Sequence, residues 1–340
     1  TLTCTQSVGV RLRCGTGNMT MITAFLILAC LFTGWPDAGA QGLGKAALKA
    51  LQENLQSAIE LEWATIPPYL TAYFSTIEVD EDGTIKPDYT NKHVSDMLHG
   101  IFVDEMHHMV LAANMLNAIG GEPVLNDPGK APRYPGNLPA GALPDLTVTL
   151  EKMSKVHTKK VFMGIETPEC DMKIRKFIRD LSEAASPEAQ KTYKSSVGVE
   201  KNYPKLWAKC KNAISKIKEA TRIGEIYIYK ILCPMLYLEK KAKDSGKTIF
   251  TGDDPPRQLT SSSAFPVKDI NAAVQAVHKI VSQGEGGDPC NPFVDKQFTG
   301  ESEDVPCHYF KFAEIVNGMK VEYGGDTCSL IEPGCEPGPC

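Results

Sequence analysis

Glu105 and His108 stand three residues apart in Asp104-Glu-Met-His-His108, inside a stretch whose apolar residues recur at helical spacing. Val94, Leu98, Ile101, Ala112, Met115 and Ile119 line one face, and the carboxylate and imidazole sit in the middle of it. Glu62 interrupts a similar stripe of Leu48, Leu51, Leu55, Ile59, Ile66, Tyr69 and Tyr73, and Glu225 interrupts one that runs from Ile223 through Tyr227 and Leu232 to Met235. An unpaired carboxylate in a dry interior costs several kcal/mol even after relaxation. Three of them would consume much of the ~5–15 kcal/mol that stabilises a whole domain. The stripes supply no lysine or arginine, so a shared cation is the compensation that fits. Glu-x-x-His is the spacing by which a bundle helix presents two ligands to one iron or manganese ion.

Two further residues are candidate ligands. Glu166 ends the segment Phe162-Met-Gly-Ile-Glu166, and His308 opens a stripe with Phe312, Ile315 and Met319. A helix-end charge and a core histidine are their plain alternatives. His93, His99, His107 and His278 fall off the apolar faces and read as surface residues. Glu285, in the turn Gly284-Glu-Gly-Gly287, is a weaker candidate. Pro67 and Pro68 lie one turn past Glu62, where proline removes a backbone donor and kinks or restarts a helix. A break there would open a substrate pocket walled by Tyr69 and Tyr73, with Tyr227 and Phe102 nearby.

The elements that must position these groups are helical. Periodicity predicts helices over 45–77, 91–119 (stopped by Gly120-Gly121), 147–166, 221–243, 267–283 and 308–319. Residues 171–218 read as two polar amphipathic helices inserted on the outside. Proline-rich and Asp/Pro/Ser-rich loops fill 123–145 and 244–267. Strand signals are sparse and no 20–50-residue repeat is present. The expected architecture is an all-α bundle with additional helices.

Composition sets the broader limits. The chain has 340 residues, 42% hydrophobic and 23% charged, with a net charge of −5. Disordered, collagenous and rod-like classes are excluded, and an acidic chain without a clustered basic face is no dedicated nucleic-acid binder. The run Met21-Ile-Thr-Ala-Phe-Leu-Ile-Leu-Ala-Cys-Leu-Phe32, followed by Ala38-Gly-Ala40, reads as a signal peptide cleaved after Ala40. That gives a removed leader over 1–40, a helical domain over 41–322 and a cysteine-rich tail over 323–340. No later segment is long and apolar enough to hold the mature protein in a membrane. Outside the leader lie Cys170, Cys210, Cys233, Cys290, Cys307, Cys328, Cys335 and Cys340, an even set that fits disulfides in a secreted protein better than a zinc cluster. No HExxH, GxSxG or phosphate-loop signature supports a hydrolase or nucleotide reading.

Several blocks together carry a resemblance. Ala58-Ile-Glu-Leu-Glu-Trp-Ala-Thr-Ile-Pro-Pro-Tyr-Leu-Thr-Ala72, Asp104-Glu-Met-His-His-Met-Val-Leu-Ala-Ala-Asn-Met-Leu-Asn-Ala-Ile-Gly-Gly121 and Ile223-Gly-Glu-Ile-Tyr227 are similar to the ferritin-like family that contains the iminophenyl-pyruvate dimer synthase of violacein biosynthesis. Tyr134-Pro-Gly-Asn-Leu-Pro139, Phe162-Met-Gly-Ile-Glu-Thr-Pro168 and His308-Tyr-Phe-Lys-Phe312 extend it over most of 45–320. The resemblance implies a four-helix ferritin-like bundle with a non-haem iron site from Glu62, Glu105, His108 and Glu225, joined by Glu166 and His308. A regular di-iron bundle offers two Glu-x-x-His pairs, whereas Glu225 is followed at i+3 by Ile228. The second histidine is then His308, or the centre holds one metal. The expected function is a secreted, O2-dependent oxidase or oxygenase using iron (manganese as the alternative) on a small organic, aromatic or imine, substrate. Secreted iron sequestration without turnover, and a metal-free structural role, are the rival readings.

Overall fold

The computed structural model describes residues 37–76, 78–79, 85–86, 92–211, 213, 219–252, 257–284, 292–294, 297 and 304–318, with side chains from residue 44 onward and none for the short strands. Most of the leader, Glu285 and the tail with Cys328, Cys335 and Cys340 lie outside these residues. The chain divides between Ala47 and Leu48 into two compact units, and the site lies wholly in the second.

Helix α1 spans Asp37–Phe74 and runs unbroken through Pro67 and Pro68. The expected break does not separate it, and the reason is a substitute donor from a distant part of the chain. Pro68 cannot donate to the carbonyl of Ala64, and the Tyr134 hydroxyl donates to that oxygen instead at 2.7 Å. Its buried stripe, Leu51, Leu55, Ile59, Glu62, Ile66 and Tyr69, follows the predicted period. Full burial of one such leucine or isoleucine contributes about 1.5–3 kcal/mol.

A two-residue antiparallel pair, β1 (Glu78–Val79) and β2 (Ile85–Lys86), precedes helix α2, Lys92–Ala118. α2 ends where Gly120 takes a φ of 74°. There Gly120 N–H donates to Asn117 and Gly121 N–H to Leu116, closing the last turn.

Helix α3 is shorter than expected. Residues 147–154 are not helical, with Val148 bridged to Gly136, and the helix comprises Lys155–His157, a π segment Thr158–Phe162 and Met163–Ile165. Among the described residues of 171–218, the predicted polar pair is replaced by α4 (Met172–Ala185), α5 (Pro187–Thr192), α6 (Val199–Asn202) and α7 (Pro204–Cys210). α4 is not peripheral, because it packs on α9 through buried Ile174, Phe177, Ile178 and Leu181.

Helix α8 comprises Ile223–Glu225, a π segment Ile226–Leu232 and Cys233–Asp244. Pro234 leaves the carbonyl of Lys230 without its helical donor, and Asn54 on α1 supplies one at 2.9 Å. A disulfide, Cys210–Cys233, ties α7 to α8. Helix α9 (Ile270–Gln283) starts on the Asp269 cap, and α10 (His308–Asn317) ends at Gly318. α10 packs on α3 and α2, and α9 packs on α2 and α8. No helix among the described residues is long and apolar enough to cross a membrane.

Candidate metal centre

Five of the six predicted ligands converge. Glu62 (α1), Glu105 and His108 (α2), Glu166 (after α3) and His308 (α10) are all fully buried, at 0% exposure. They form two triads, Glu62–Glu105–His108 and Glu105–Glu166–His308, each with its donor atoms within 4.8 Å of one another. Glu105 belongs to both. His108 Nδ1 lies 3.8 Å from Glu62 Oε2 and 3.7 Å from Glu105 Oε1. His308 Nδ1 lies 2.9 Å from the same Glu105 oxygen and 3.4 Å from Glu166 Oε2.

Each of the five side chains has one polar atom tied to the protein and one left over. The Tyr227 hydroxyl donates to Glu62 Oε1 at 2.5 Å, the Tyr69 hydroxyl to Glu166 Oε1 at 2.5 Å, and Thr65 Oγ1 to Glu105 Oε2 at 2.9 Å. His108 Nε2 meets Gln283 Oε1 at 3.3 Å and His308 Nε2 meets Asp104 Oδ2 at 3.2 Å. Gln283 Nε2 donates in turn to Asp104 Oδ1. The leftover atoms are Glu62 Oε2, Glu105 Oε1, Glu166 Oε2, His108 Nδ1 and His308 Nδ1, all buried without a hydrogen-bond partner. A buried orphaned oxygen or nitrogen costs about 1–3 kcal/mol. Five aimed at one region fit a pair of cations that the shared Glu105 would bridge. The outer partners fix each imidazole with Nε2 as donor and Nδ1 as the free electron pair, the arrangement by which second-layer groups orient metal ligands.

Electrostatics point the same way. Burial, then the Glu105 charge, raises Glu62 well above the ordinary carboxylate range, and the same two causes raise Glu166. Glu105 is lowered: burial pushes it up, but the neighbouring His308 and His108 and the Thr65 hydroxyl outweigh burial. His108 falls to about 4, chiefly through burial, whereas burial of His308 is overcome by the Glu166 charge and by Asp104 and Glu105. The mutual crowding of carboxylates that raises Glu62 and Glu166 is what a bound cation would relieve.

Glu225 is not in the cluster. Half-buried at the start of α8, it closes a capping box, its Oε2 accepting from the N–H groups of Thr221 (3.2 Å) and Arg222 (3.4 Å). Tyr227 takes the inward place two residues on. Glu225 faces buried Glu169, whose carboxyl is pushed up to about 8 by burial and by the Glu225 charge, with Arg222 opposing. Tyr69 packs against Phe162 and Phe312 with its hydroxyl on Glu166. Tyr73, half-buried, packs on Phe102 and His99. A cavity of about 360 Å³ lies on another face of α2, along Met109, Val110 and Ala113. His278, expected at the surface, is buried on α9.

Sequence reasoning missed the supporting groups Thr65, Asp104 and Gln283. Asp104 immediately precedes Glu105 and was legible as part of that motif, whereas Thr65 and Gln283 gave no signal.

The family described as Ferritin-like matches residues 55–317. This covers more than half of the chain, and the protein belongs to the Ferritin-like family; the fold is all-α and ferritin-like. Among solved structures, the chain is similar to a ferritin-like protein from Caulobacter vibrioides, 19% identical over 81% of this chain and 74% of that one, with a TM-score of 0.45. No curated protein matches this sequence.

Proposed function

We propose that the protein is a secreted non-haem iron oxidase or oxygenase that uses molecular oxygen on a small organic substrate, aromatic or imine-bearing like that of the violacein-pathway synthase type it resembles. The observation that carries the reading is the set of five buried, unpartnered donor atoms arranged as two triads on one carboxylate. A mixed carboxylate and imidazole donor set suits iron and manganese better than the softer or harder alternatives. When bound, an iron pair supplies one-electron chemistry and a place for oxygen to bind. The protein's own residues do the rest. Glu62, Glu105 and Glu166 balance the cationic charge, and Tyr227 and Tyr69 hold the outer carboxylate oxygens so that Oε2 faces inward. Asp104 and Gln283 keep the Nδ1 atoms free of protons. The rings of Tyr69, Phe162 and Phe312, packed with centroids 4.9 to 5.3 Å apart, exclude water beside Glu166. Secretion rests on the leader pattern and accords with the Cys210–Cys233 disulfide, which belongs to an oxidising compartment.

The test is anaerobic loading with ferrous iron, elemental analysis, and then oxygen consumption with and without aromatic and imine substrates. Two irons per chain and substrate-dependent oxygen uptake are expected. Uptake that stops once the iron is oxidised assigns the protein to iron sequestration. Less than about 0.1 metal per chain assigns it a structural role.

A further inference from the structure

Side-chain amides hold the two loops that flank the cavity on α2. Asn114, buried on α2, accepts from the Leu259 N–H at 3.0 Å and donates to the carbonyls of Leu259 and Phe265 at 2.8 and 2.9 Å. Asn117, one turn on, donates to the Arg257 carbonyl at 2.8 Å. Gln56 on α1 pins the chain after α2 in the same way, accepting from the Val124 N–H and donating to its carbonyl, both at 2.9 Å. Freeing either loop would strand a carboxamide that has no other partner of this kind. Residues 122–125 and 257–259 are thereby fixed as preformed rims of a cavity of about 360 Å³, the size of a small-molecule site.

The lining divides by chemistry. Met109, Val110 and Ala113 on α2 are its apolar part, and Leu125 and Leu259, 43% and 65% exposed, extend that part to the rims. Large apolar side chains left exposed around one concavity mark a binding surface. Two opposite charges line the same cavity, Arg257 and Glu122, both exposed, and neither has an ion pair among the described residues. We propose that the cavity binds an apolar α-amino acid, its carboxylate on the Arg257 guanidinium, its ammonium on Glu122 and its side chain against Met109, Val110 and Ala113. A plain carboxylate would meet Arg257 but be repelled by Glu122, and a plain amine would suffer the converse. Only a molecule carrying both charges satisfies both residues. Burial of the side chain supplies most of the attraction, while the solvent-screened charges set which molecule is preferred. The cavity shares no residue with the two triads and does not rest on reading them as a metal centre.

The experiment titrates the purified protein with L-leucine and L-phenylalanine by calorimetry, with the rise in thermal midpoint read in parallel to catch binding that releases no heat. Isocaproate and isoamylamine, the leucine analogues lacking one charge each, are the controls. At least one amino acid should bind saturably, and each analogue about tenfold more weakly than leucine or worse. Arg257→Gln and Glu122→Gln should each weaken amino-acid binding about tenfold, and Arg257→Gln should no longer prefer leucine over isoamylamine. Ala113→Phe fills the apolar part and should abolish binding with both charges in place. No saturable binding of either amino acid up to about 10 mM overturns the proposal. So does an analogue that binds as tightly as leucine, or an unchanged affinity in Arg257→Gln or Ala113→Phe. Should Ala113→Phe fail to fold, the two charge variants, altered only at exposed side chains, still decide the matter.

Discussion

Because Glu105 Oε1 is the single oxygen common to both triads, its removal should cost both ions, whereas removal of Glu62 or Glu166 should cost one. The perturbation is Glu105→Ala compared with Glu62→Ala and Glu166→Ala, read as the rise in thermal midpoint on adding ferrous or manganous ion without oxygen. An ion that binds only the folded state stabilises it by about 4 kcal/mol when its free concentration is 1,000 times Kd. An unfolding entropy of ~2.1 cal/mol/K per residue over the matched span 55–317 comes to ~0.55 kcal/mol/K. Each ion then raises the midpoint by ~7 °C, and a pair by ~15 °C. The expected pattern is ~15 °C for wild type, about half for Glu62→Ala and for Glu166→Ala, and little or none for Glu105→Ala, with metal content falling in parallel. Differential scanning calorimetry with elemental analysis reads both. Using the ion-dependent shift within each variant cancels what the substitution does to the ion-free fold. An ion-dependent shift in Glu105→Ala as large as that of Glu62→Ala would refute the shared-carboxylate geometry.

Three more expectations concern the surroundings of the centre. Tyr227→Phe and Tyr69→Phe each remove a hydroxyl from a buried carboxylate oxygen and should lower metal affinity by about 10–100-fold, measurable by competition with a chelator, while leaving two ions at saturation. Glu225→Ala should leave metal content unchanged and lower the midpoint through loss of the α8 cap, worth about 0.5–2 kcal/mol; a loss of metal would return Glu225 to the ligand set. Glu169, raised to about 8, holds a proton in the folded state that the unfolded chain releases at lower pH. Its contribution to stability is therefore present in acid and lost as pH rises from the ordinary carboxylate range through about 8. Glu169→Gln should match wild type near pH 5 and exceed it near pH 9 by on the order of 2–4 kcal/mol, seen in chemical denaturation; identical pH profiles would remove the buried-acid assignment.

Periodicity read along the chain places acids and an imidazole on apolar helical stripes. Glu62, Glu105 and His108 were legible because α1 and α2 are long, regular and one-faced, so periodicity alone fixes which way a side chain points. Glu166 and His308 stood in the sequence as ligand candidates with plain alternatives, since each sits at the end of a helix where the stripe is short. Glu225 was misplaced for two physical reasons. It lies in the first turn of α8, where unpaired backbone N–H groups compete for a carboxylate, and the π segment that follows shifts the register of every inward position after it. Pro67 and Pro68 looked like a break because a sequence cannot show that Tyr134, far along the chain, will supply the absent donor.

Packing brings Glu105 into two triads and ties the two histidines together through Gln283 and Asp104. Each of those depends on the docking of α9 and α10 against α2, contacts between residues about 175 to 204 positions apart. Local spacing determines which face a residue occupies; the distance between two faces is set by packing alone.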